Sequence, residues 1–376
     1  MNLVLNNCQM ILPGRKSAVG DIVVTNGKID KILISPEERA SSPRGIDLFG
    51  AIVMPGIVDA HCHAPMTLLR GVGGGLPLKR WLEEAIFPVE ARMTDEDVAA
   101  GMTWGAMELL AGGVTCVADM YEHSLAGAAA LAETGIKANV CRPGLAFDDG
   151  TPEGRLEECI DFVRNFRDSN GRLLADICIH SEYLTNEKFC RALAEANREF
   201  TRPLNVHVSE TKREHEECIA RHGKTPIAYL AETGLLDYGG YAAHCVWCTD
   251  DDFKIMADRN VSLVHNPSSN MKLASGFARV CRAAELGVNV ALGTDGPASN
   301  DNLDMFEEMH LASLVHKGRL NDPTVLGAWE IIEMASVNGA RALGRSGGGE
   351  LAVGSPADIL TSFQSESNIC VVSVSR

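Results

Sequence analysis

Ile52-Val-Met-Pro-Gly-Ile-Val-Asp59-Ala-His61-Cys-His63 is an apolar run, rich in β-branched residues, that closes on two histidines one residue apart. Such a run predicts a buried strand. Side chains at i and i+2 of a strand share a side, so both imidazoles can face one point in space, while Cys62 points the other way and stays structural. That geometry suits a metal ion. An isolated HxH is nonetheless more often an accident of a strand end than a ligand pair, so the remaining ligands must come from elsewhere in the chain.

Eight runs of this kind occur: Gly56–His61, Val114–Asp119, Lys137–Arg142, Asp176–Ser181, Leu204–Ser209, Tyr241–Cys245, Val261–His265 and Val288–Gly293. Segments of helical periodicity lie between them. Thr94–Ala111 is one, with Thr94 as N-cap and Asp95, Glu96 and Asp97 in the first turn, where the helix dipole favours acids. Eight βα units predict a TIM (β/α)8 barrel. Its strands end on polar residues: His61 and His63, Asp119, Arg142, His180, His207 with Ser209 and Glu210, His244, His265, and Thr294 with Asp295. Barrel active sites form on that face, and a polar group closing every strand does not suit a purely structural barrel.

Both ends of the chain read as β structure. Leu3–Leu12, Asp21–Ile34 with a turn at Asn26-Gly27, and Ile46–Val53 alternate as strands do, and Gly349–Ile359 again looks extended. These segments predict a small β-sandwich-like module from residues 1–53 plus 347–376, bounded at Gly347-Gly-Gly349, beside a barrel over 54–346.

Composition narrows the function. The 376 residues are 45% hydrophobic and 22% charged, as a globular protein is, with no bilayer-length apolar stretch. A formal charge of −16 opposes binding to phosphate backbones. A small-molecule partner is expected, with neither nucleic acid nor membrane. The N-terminus shows no basic segment followed by an apolar one, and the twelve cysteines are scattered through apolar segments. A cytoplasmic protein with reduced, buried thiols is expected.

Zinc takes nitrogen and oxygen ligands and, when catalytic, keeps a position open for water. His61, His63, His207 and Asp295, from strands one, five and eight, supply three imidazoles and a carboxylate. Such a site lowers the pKa of water from about 15.7 to about 7, and the proton released needs a carrier. Glu210, three residues beyond His207, is placed to shuttle it, with His244 and Asp295 orienting the attacking oxygen. Each of these residues alone could be an ordinary hydrogen-bonded edge residue; their joint occurrence in barrel order favours a metal site.

Other patterns carry less. Gly71-Val-Gly-Gly-Gly75 lacks the spacing of a dinucleotide fingerprint and is expected to be a flexible loop over the site. Cys245-Val-Trp-Cys248 has no second pair and is expected to be structural, and the zinc-deaminase signature H-x-E with P-C-x-x-C is absent. His215, His222, His310 and His316 lie on helical segments and are expected on exposed faces, as Arg155 is.

At its metal motifs the chain resembles the amidohydrolase superfamily, in particular the aminohydrolases of the atrazine-chlorohydrolase branch and, among them, deaminases of 5′-substituted adenosines. The matching stretches are Pro55–His63, Met66–Gly71, Trp81-Leu with Pro88-Val-Glu90, Gly113–Tyr121, His207–Thr211, Ala243–Cys245, His265–Gly276 and Leu292–Asn300. The resemblance implies one zinc ion per chain (iron or manganese being alternatives), proton transfers by Glu210 and His244, and hydrolytic deamination of an adenine nucleoside. The inosine analogue and ammonia would be the products. It further implies that Glu90 accepts hydrogen bonds from ribose hydroxyls, Trp81 packs on the nucleoside, His180 lies near the base, and Arg155 meets the carboxylate of S-adenosylhomocysteine. Arg142 would come from a neighbouring subunit of a homo-oligomer.

Two stretches depart from the family. Gly73-Gly-Gly75 replaces an acidic pair, and Leu360–Arg376 lacks the family's β pattern, as if truncated or frame-shifted. The small module is therefore expected to be incomplete, with an exposed sheet edge. Competing functions are an aminohydrolase of a free heterocycle, guanine-like or triazine, and a catalytically silent scaffold.

Overall fold

The structure, a computed structural model, describes residues 2–146, 153–168, 170–362 and 369–373. The chain opens with β1 (Asn2–Leu12), β2 (Lys16–Thr25) and β3 (Lys28–Leu33), an antiparallel meander, followed by β4 (Ile46–Asp47) and β5 (Ile52–Pro55). The alternation foreseen over Asp21–Ile34 is thus split by the Asn26-Gly27 turn, where Asn26 and Gly27 take φ of 51° and 77°, values that asparagine and glycine tolerate best.

Eight parallel strands then pair in sequence order: β6 (Ile57–Cys62), β7 (Val114–Met120), β8 (Lys137–Cys141), β9 (Leu173–Ser181), β10 (Leu204–Val208), β11 (Gly240–His244), β12 (Val261–His265) and β13 (Val290–Leu292). Each expected strand is present within a few residues. Helices occupy the connections, among them Asp95–Ala111, Ser124–Thr134, Glu153–Asn165, Glu187–Phe200, Lys212–His222 and, beyond β13, Met305–Leu320. Thr94 caps the first of these: its side chain accepts from the Asp97 N–H, and Asp97 accepts from the Thr94 N–H. The last and first strands meet through a parallel bridge between Cys62 and Asp295, with the Asp295 N–H donating to the His61 carbonyl at 2.9 Å. The barrel therefore closes where the candidate ligands lie.

Strand alternation sorts the core. Val58, Ala60, Cys116, Ala118, Tyr241, Val264 and Ala291 form a cluster distinct from the larger one, in which Ile57, Cys62, Val117, Val206 and Leu263 pack with residues of the surrounding helices such as Leu109 and Phe189. Cys62 lies in the larger cluster although it shares the parity of Val58 and Ala60, because the register of β6 against β7 shifts between Asp59 and Cys62.

The small sheet runs β15-β14-β5-β1-β2-β3, completed by β14 (Asp358–Ser362) and β15 (Ile369–Ser373). Leu5, Met10, Ile22, Val53, Leu351 and Ile359 share its core. Two expectations are corrected here. Gly349–Ile359 is extended only at its end: Gly354 has φ 90°, and its N–H, with that of Ala357, bonds the β2–β3 turn at Ile29 and Gly27, so turn chemistry wins over apparent alternation. The stretch after Ile359, expected to lack the family's β pattern, carries β structure, since β14 pairs with β5 and β15 extends the sheet from β14, both antiparallel. Residues 363–368 and 374–376 lie outside the described residues. Lys137 at the start of β8 reaches Asp358 of β14 with oxygens at 2.6 and 2.8 Å, tying the sheet to the barrel.

Candidate active site

Strand ends bring the predicted ligands together. His61 and His63 close β6, His207 lies near the end of β10, His244 ends β11, and Asp295 follows β13. Nitrogens of His61, His207 and His244 and an oxygen of Asp295 all lie within 4.8 Å of one another, every one of these residues buried. His63 joins from the side, its Nε2 being 3.1 Å from His207 Nε2 and 3.2 Å from Asp295 Oδ1. Turning side chains from several strands toward one point distorts the backbone: Ser209, His244 and Asp295 have φ of 47°, 71° and 64°. Strain of this kind, about 1–3 kcal/mol per residue, collects at functional sites.

The hydrogen-bond pattern tests whether a cation fits. His63 Nδ1 faces the Met120 carbonyl and His207 Nδ1 the His180 carbonyl at 2.7 Å, so in each neutral ring the proton sits on Nδ1 and the Nε2 lone pair is free. Those two lone pairs converge at 3.1 Å. Both ring nitrogens of His61 are buried with no hydrogen-bond partner, and its Nε2 stands 3.5 Å from Asp295 Oδ1. Converging lone pairs and a carboxylate repel unless something positive lies between them. Two nitrogens held about 2.0–2.1 Å from one zinc at a near-tetrahedral angle would stand about 3.3 Å apart, close to the separation seen, so the residues fit a metal.

The acid–base groups respond in kind. Burial lowers His63, but Asp295 beside it more than reverses this and carries it up to about 9, so that a proton on Nε2 supplies between these groups the positive charge that a metal would otherwise bring. Burial holds His61 down at about 4 and His207 well below the usual range. Burial also opposes ionisation of Asp295, yet the contacts with His61 and His63 prevail and keep it an anion. Its Oδ2 accepts from Ser269 Oγ at 2.5 Å and its Oδ1 from the Gly296 N–H at 2.8 Å.

Glu210 is buried and its pKa is raised by that burial; Oε1 accepts from Ser275 Oγ at 3.2 Å, and Oε2 lies 3.8 Å from His244 Nε2. His244 Nδ1–H donates to Asn270 Oδ1 at 2.9 Å, turning the Nε2 lone pair toward Glu210 and Asp295, whose Oδ2 is 4.0 Å away. A buried carboxylate and an imidazole thus flank the same point.

Above these groups opens a cavity of about 440 Å³, lined by His63, His207, Glu210, His244 and Asp295 at one end and by Trp81, Glu90, His180 and Arg155 around its walls. Trp81 lies in a π-helical turn (Trp81–Ile86) and is buried, its indole N–H held by the Val72 carbonyl at 3.0 Å. The glycine-rich loop is tied down by this contact: Gly73 has φ 71°, and a Cβ there would stand 2.8 Å from Trp81 Cδ1. Glu90 is half-buried with its pKa raised by desolvation, beside the Tyr121 hydroxyl. His180 is half-buried against the His207 ring, at 4.5 Å between centroids, and burial lowers its pKa. Arg142 does not line the cavity; it is engaged by Glu122 and Glu158 of its own chain.

Residues 52–374 match the sequence profile of the amidohydrolase family. The chain belongs to that family. Among curated amidohydrolases, a 5-methylthioadenosine/S-adenosylhomocysteine deaminase of Acetivibrio thermocellus is 41% identical over 381 residues, covering 99% of this chain and 88% of its own length. A 5′-deoxyadenosine deaminase of Methanothermobacter thermautotrophicus is 42% identical over 347 residues, with 91% and 80% covered. Among solved structures, an adenosine deaminase from Xanthomonas campestris with bound zinc superposes with a TM-score of 0.90 at 33% identity, covering 96% of this chain and 84% of that one.

Several residues of this amidohydrolase to which the sequence assigned no role support the site. Glu214 accepts the N–H groups of Ser209 and Glu210 at 2.7 Å each, fixing the turn that carries Glu210. Asp59 accepts from Thr294 Oγ1 at 2.6 Å and from the N–H groups of His61 and Thr294, bracing the barrel seam, and burial pushes it up to about 7. Asp119 accepts from the Ala64 N–H at 2.7 Å, holding the chain just beyond His63. Two helical histidines are corrected: His215 is buried against Ser209 Oγ at 3.1 Å, and His316 is buried against His265 Nε2 at 3.1 Å. Their helices turn these positions inward. His222 is half-buried on Glu182 Oε1 at 2.8 Å, and His310 is exposed as expected.

Proposed function

We propose that this amidohydrolase is a zinc-dependent aminohydrolase that converts a 5′-substituted adenosine to the inosine analogue and ammonia. The observation that carries the proposal is the convergence of Nε2 lone pairs and Asp295 beside Glu210 and His244 at one end of a nucleoside-sized cavity. Deaminases of such nucleosides at about two-fifths identity over most of the chain support the substrate class.

His61, His63, His207 and Asp295 would hold one zinc ion, which when bound supplies Lewis acidity and lowers the pKa of water. Glu210, ionised at the outset, takes a proton from the attacking water and delivers it to the ring nitrogen beside the amine-bearing carbon. His244, its Nδ1–H committed to Asn270, accepts a hydrogen bond at Nε2 and keeps the attacking oxygen over that carbon. As the carbon–nitrogen bond breaks, the remaining hydroxyl proton passes by way of Asp295 and His244 to the departing ammonia. Trp81 and His180 wall the base, and Glu90 accepts from the ribose hydroxyls. The catalytic unit spans residues 54–346.

The test is ammonia release and loss of adenine absorbance from a panel of 5′-substituted adenosines with zinc-loaded protein. E90A should cost nucleoside turnover about 100-fold, as loss of buried ribose contacts would. Retained nucleoside turnover in E90A, or turnover of guanine or a triazine in place of adenosines, would overturn the proposal.

A further inference from the structure

Four charges meet beside the cavity, and they cancel. Glu122, just beyond β7, pairs with the Arg142 guanidinium and with Arg155 Nη1, at 3.0 Å from one oxygen and 3.3 Å from the other. Glu158 binds Arg142 Nη2 at 2.7 Å and comes within 3.5 Å of Arg155. Side chains of Glu122 and Arg155 are 31% and 24% exposed, against 0–10% for His61, His63, His244 and Asp295, so this pair meets solvent while the candidate ligands do not. Glu122 and Arg155 both line the cavity, with Leu78, Phe87 and Leu145 as apolar wall.

Resting on the nucleoside reading above, we propose that Glu122 sets selectivity at the 5′ end of the substrate. By holding Arg155 in an internal ion pair it makes the pocket favour adenosines with an uncharged 5′ group over those ending in an amino-acid carboxylate. The guanidinium a carboxylate would seek is already engaged by a residue of the same charge. To reach Arg155 an incoming carboxylate must displace Glu122 or lie beside it, with Glu90 and Glu158 adding to the repulsion. A methyl or methylthio group meets no such cost and gains apolar contact.

The test compares kcat/KM for 5′-methylthioadenosine and S-adenosylhomocysteine in zinc-loaded wild type, E122Q, E122A and E122Q/R155A. Wild type should prefer the methylthio substrate. The single variants should shift the ratio toward S-adenosylhomocysteine by about three- to fivefold, the scale of one partly exposed ion pair, and the double variant should return it toward wild type. A wild type that prefers S-adenosylhomocysteine, or a ratio that is unchanged or moves the other way in both single variants, would overturn the proposal; the last result would mean that Glu122 binds the substrate ammonium. Absence of turnover of either nucleoside by wild type would instead remove the underlying function, and this proposal with it.

Discussion

Replacing Glu210 by Gln separates proton transfer from everything else the residue does. Glu210 is 5% exposed, accepts one hydrogen bond from Ser275, and faces His244 without touching it. Glutamine has the same shape, and its carbonyl oxygen can keep the Ser275 contact, so folding and zinc binding should survive. What disappears is the capacity to carry a proton, worth about 10²–10⁴ in kcat, or about 2.7–5.5 kcal/mol of barrier. Burial raises the Glu210 pKa. Because the mechanism begins with the carboxylate, wild-type kcat should fall as pH drops through a value above the ordinary glutamate figure of about 4.3, and the residual rate of E210Q should lack that acidic limb. Stability moves the other way. A carboxyl whose pKa is raised by folding costs stability as pH rises through that pKa, so E210Q should be as stable as wild type, or more so, at pH 8. The assay is single-turnover ammonia release across pH, with zinc content and thermal unfolding measured on the same samples. Activity above a tenth of wild type with full zinc, or an acidic limb that persists in E210Q, would refute the role given to Glu210.

Asn270→Ala should leave zinc content unchanged and lower kcat about 10–100-fold, the usual cost of removing a residue that orients a catalytic histidine, because His244 loses the acceptor that fixes its tautomer; an unchanged kcat would remove Asn270 from the mechanism. Gly73→Ala places a methyl in positive-φ backbone and against Trp81, so KM should rise several-fold while kcat changes less, and an unaltered KM would mean that Trp81 does not shape the bound substrate. Stripping the metal with a chelator should lower the unfolding free energy by about 2.7 kcal/mol relative to protein held at a hundredfold excess of zinc over its dissociation constant, and the same unfolding midpoint with and without zinc would contradict the fit of these ligands to a cation.

The barrel was legible because its strands are short and mostly apolar, many of them β-branched, and because barrel chemistry places polar residues at strand ends. His61, His63, His207, His244 and Asp295 could be singled out only together, since each alone reads as an ordinary strand-end residue and it is their recurrence in barrel order that carries the signal. What stayed hidden depends on three-dimensional proximity or on backbone conformation. Nothing in the letters of Ser209, His244 or Asp295 signals a positive φ. Glu214, four residues after Glu210, looked like one more helix acid until its carboxylate proved to hold two backbone N–H groups. His316 read as an exposed residue because the strand histidine it faces, His265, is 51 residues away. The C-terminal segment misled for a different reason: strand pairing to β14 is a backbone interaction that the residues after Ile359 do not announce, and the family profile runs on to residue 374.

The most direct test is a reaction of zinc-loaded protein with 5′-methylthioadenosine in heavy-oxygen water, followed by mass spectrometry of the nucleoside and an assay for ammonia. Hydrolytic deamination predicts one solvent oxygen in the inosine analogue and one ammonia per nucleoside consumed, with both signals lost on metal removal. Turnover that releases free adenine, that continues undiminished without metal, or that leaves the adenosine intact would contradict it.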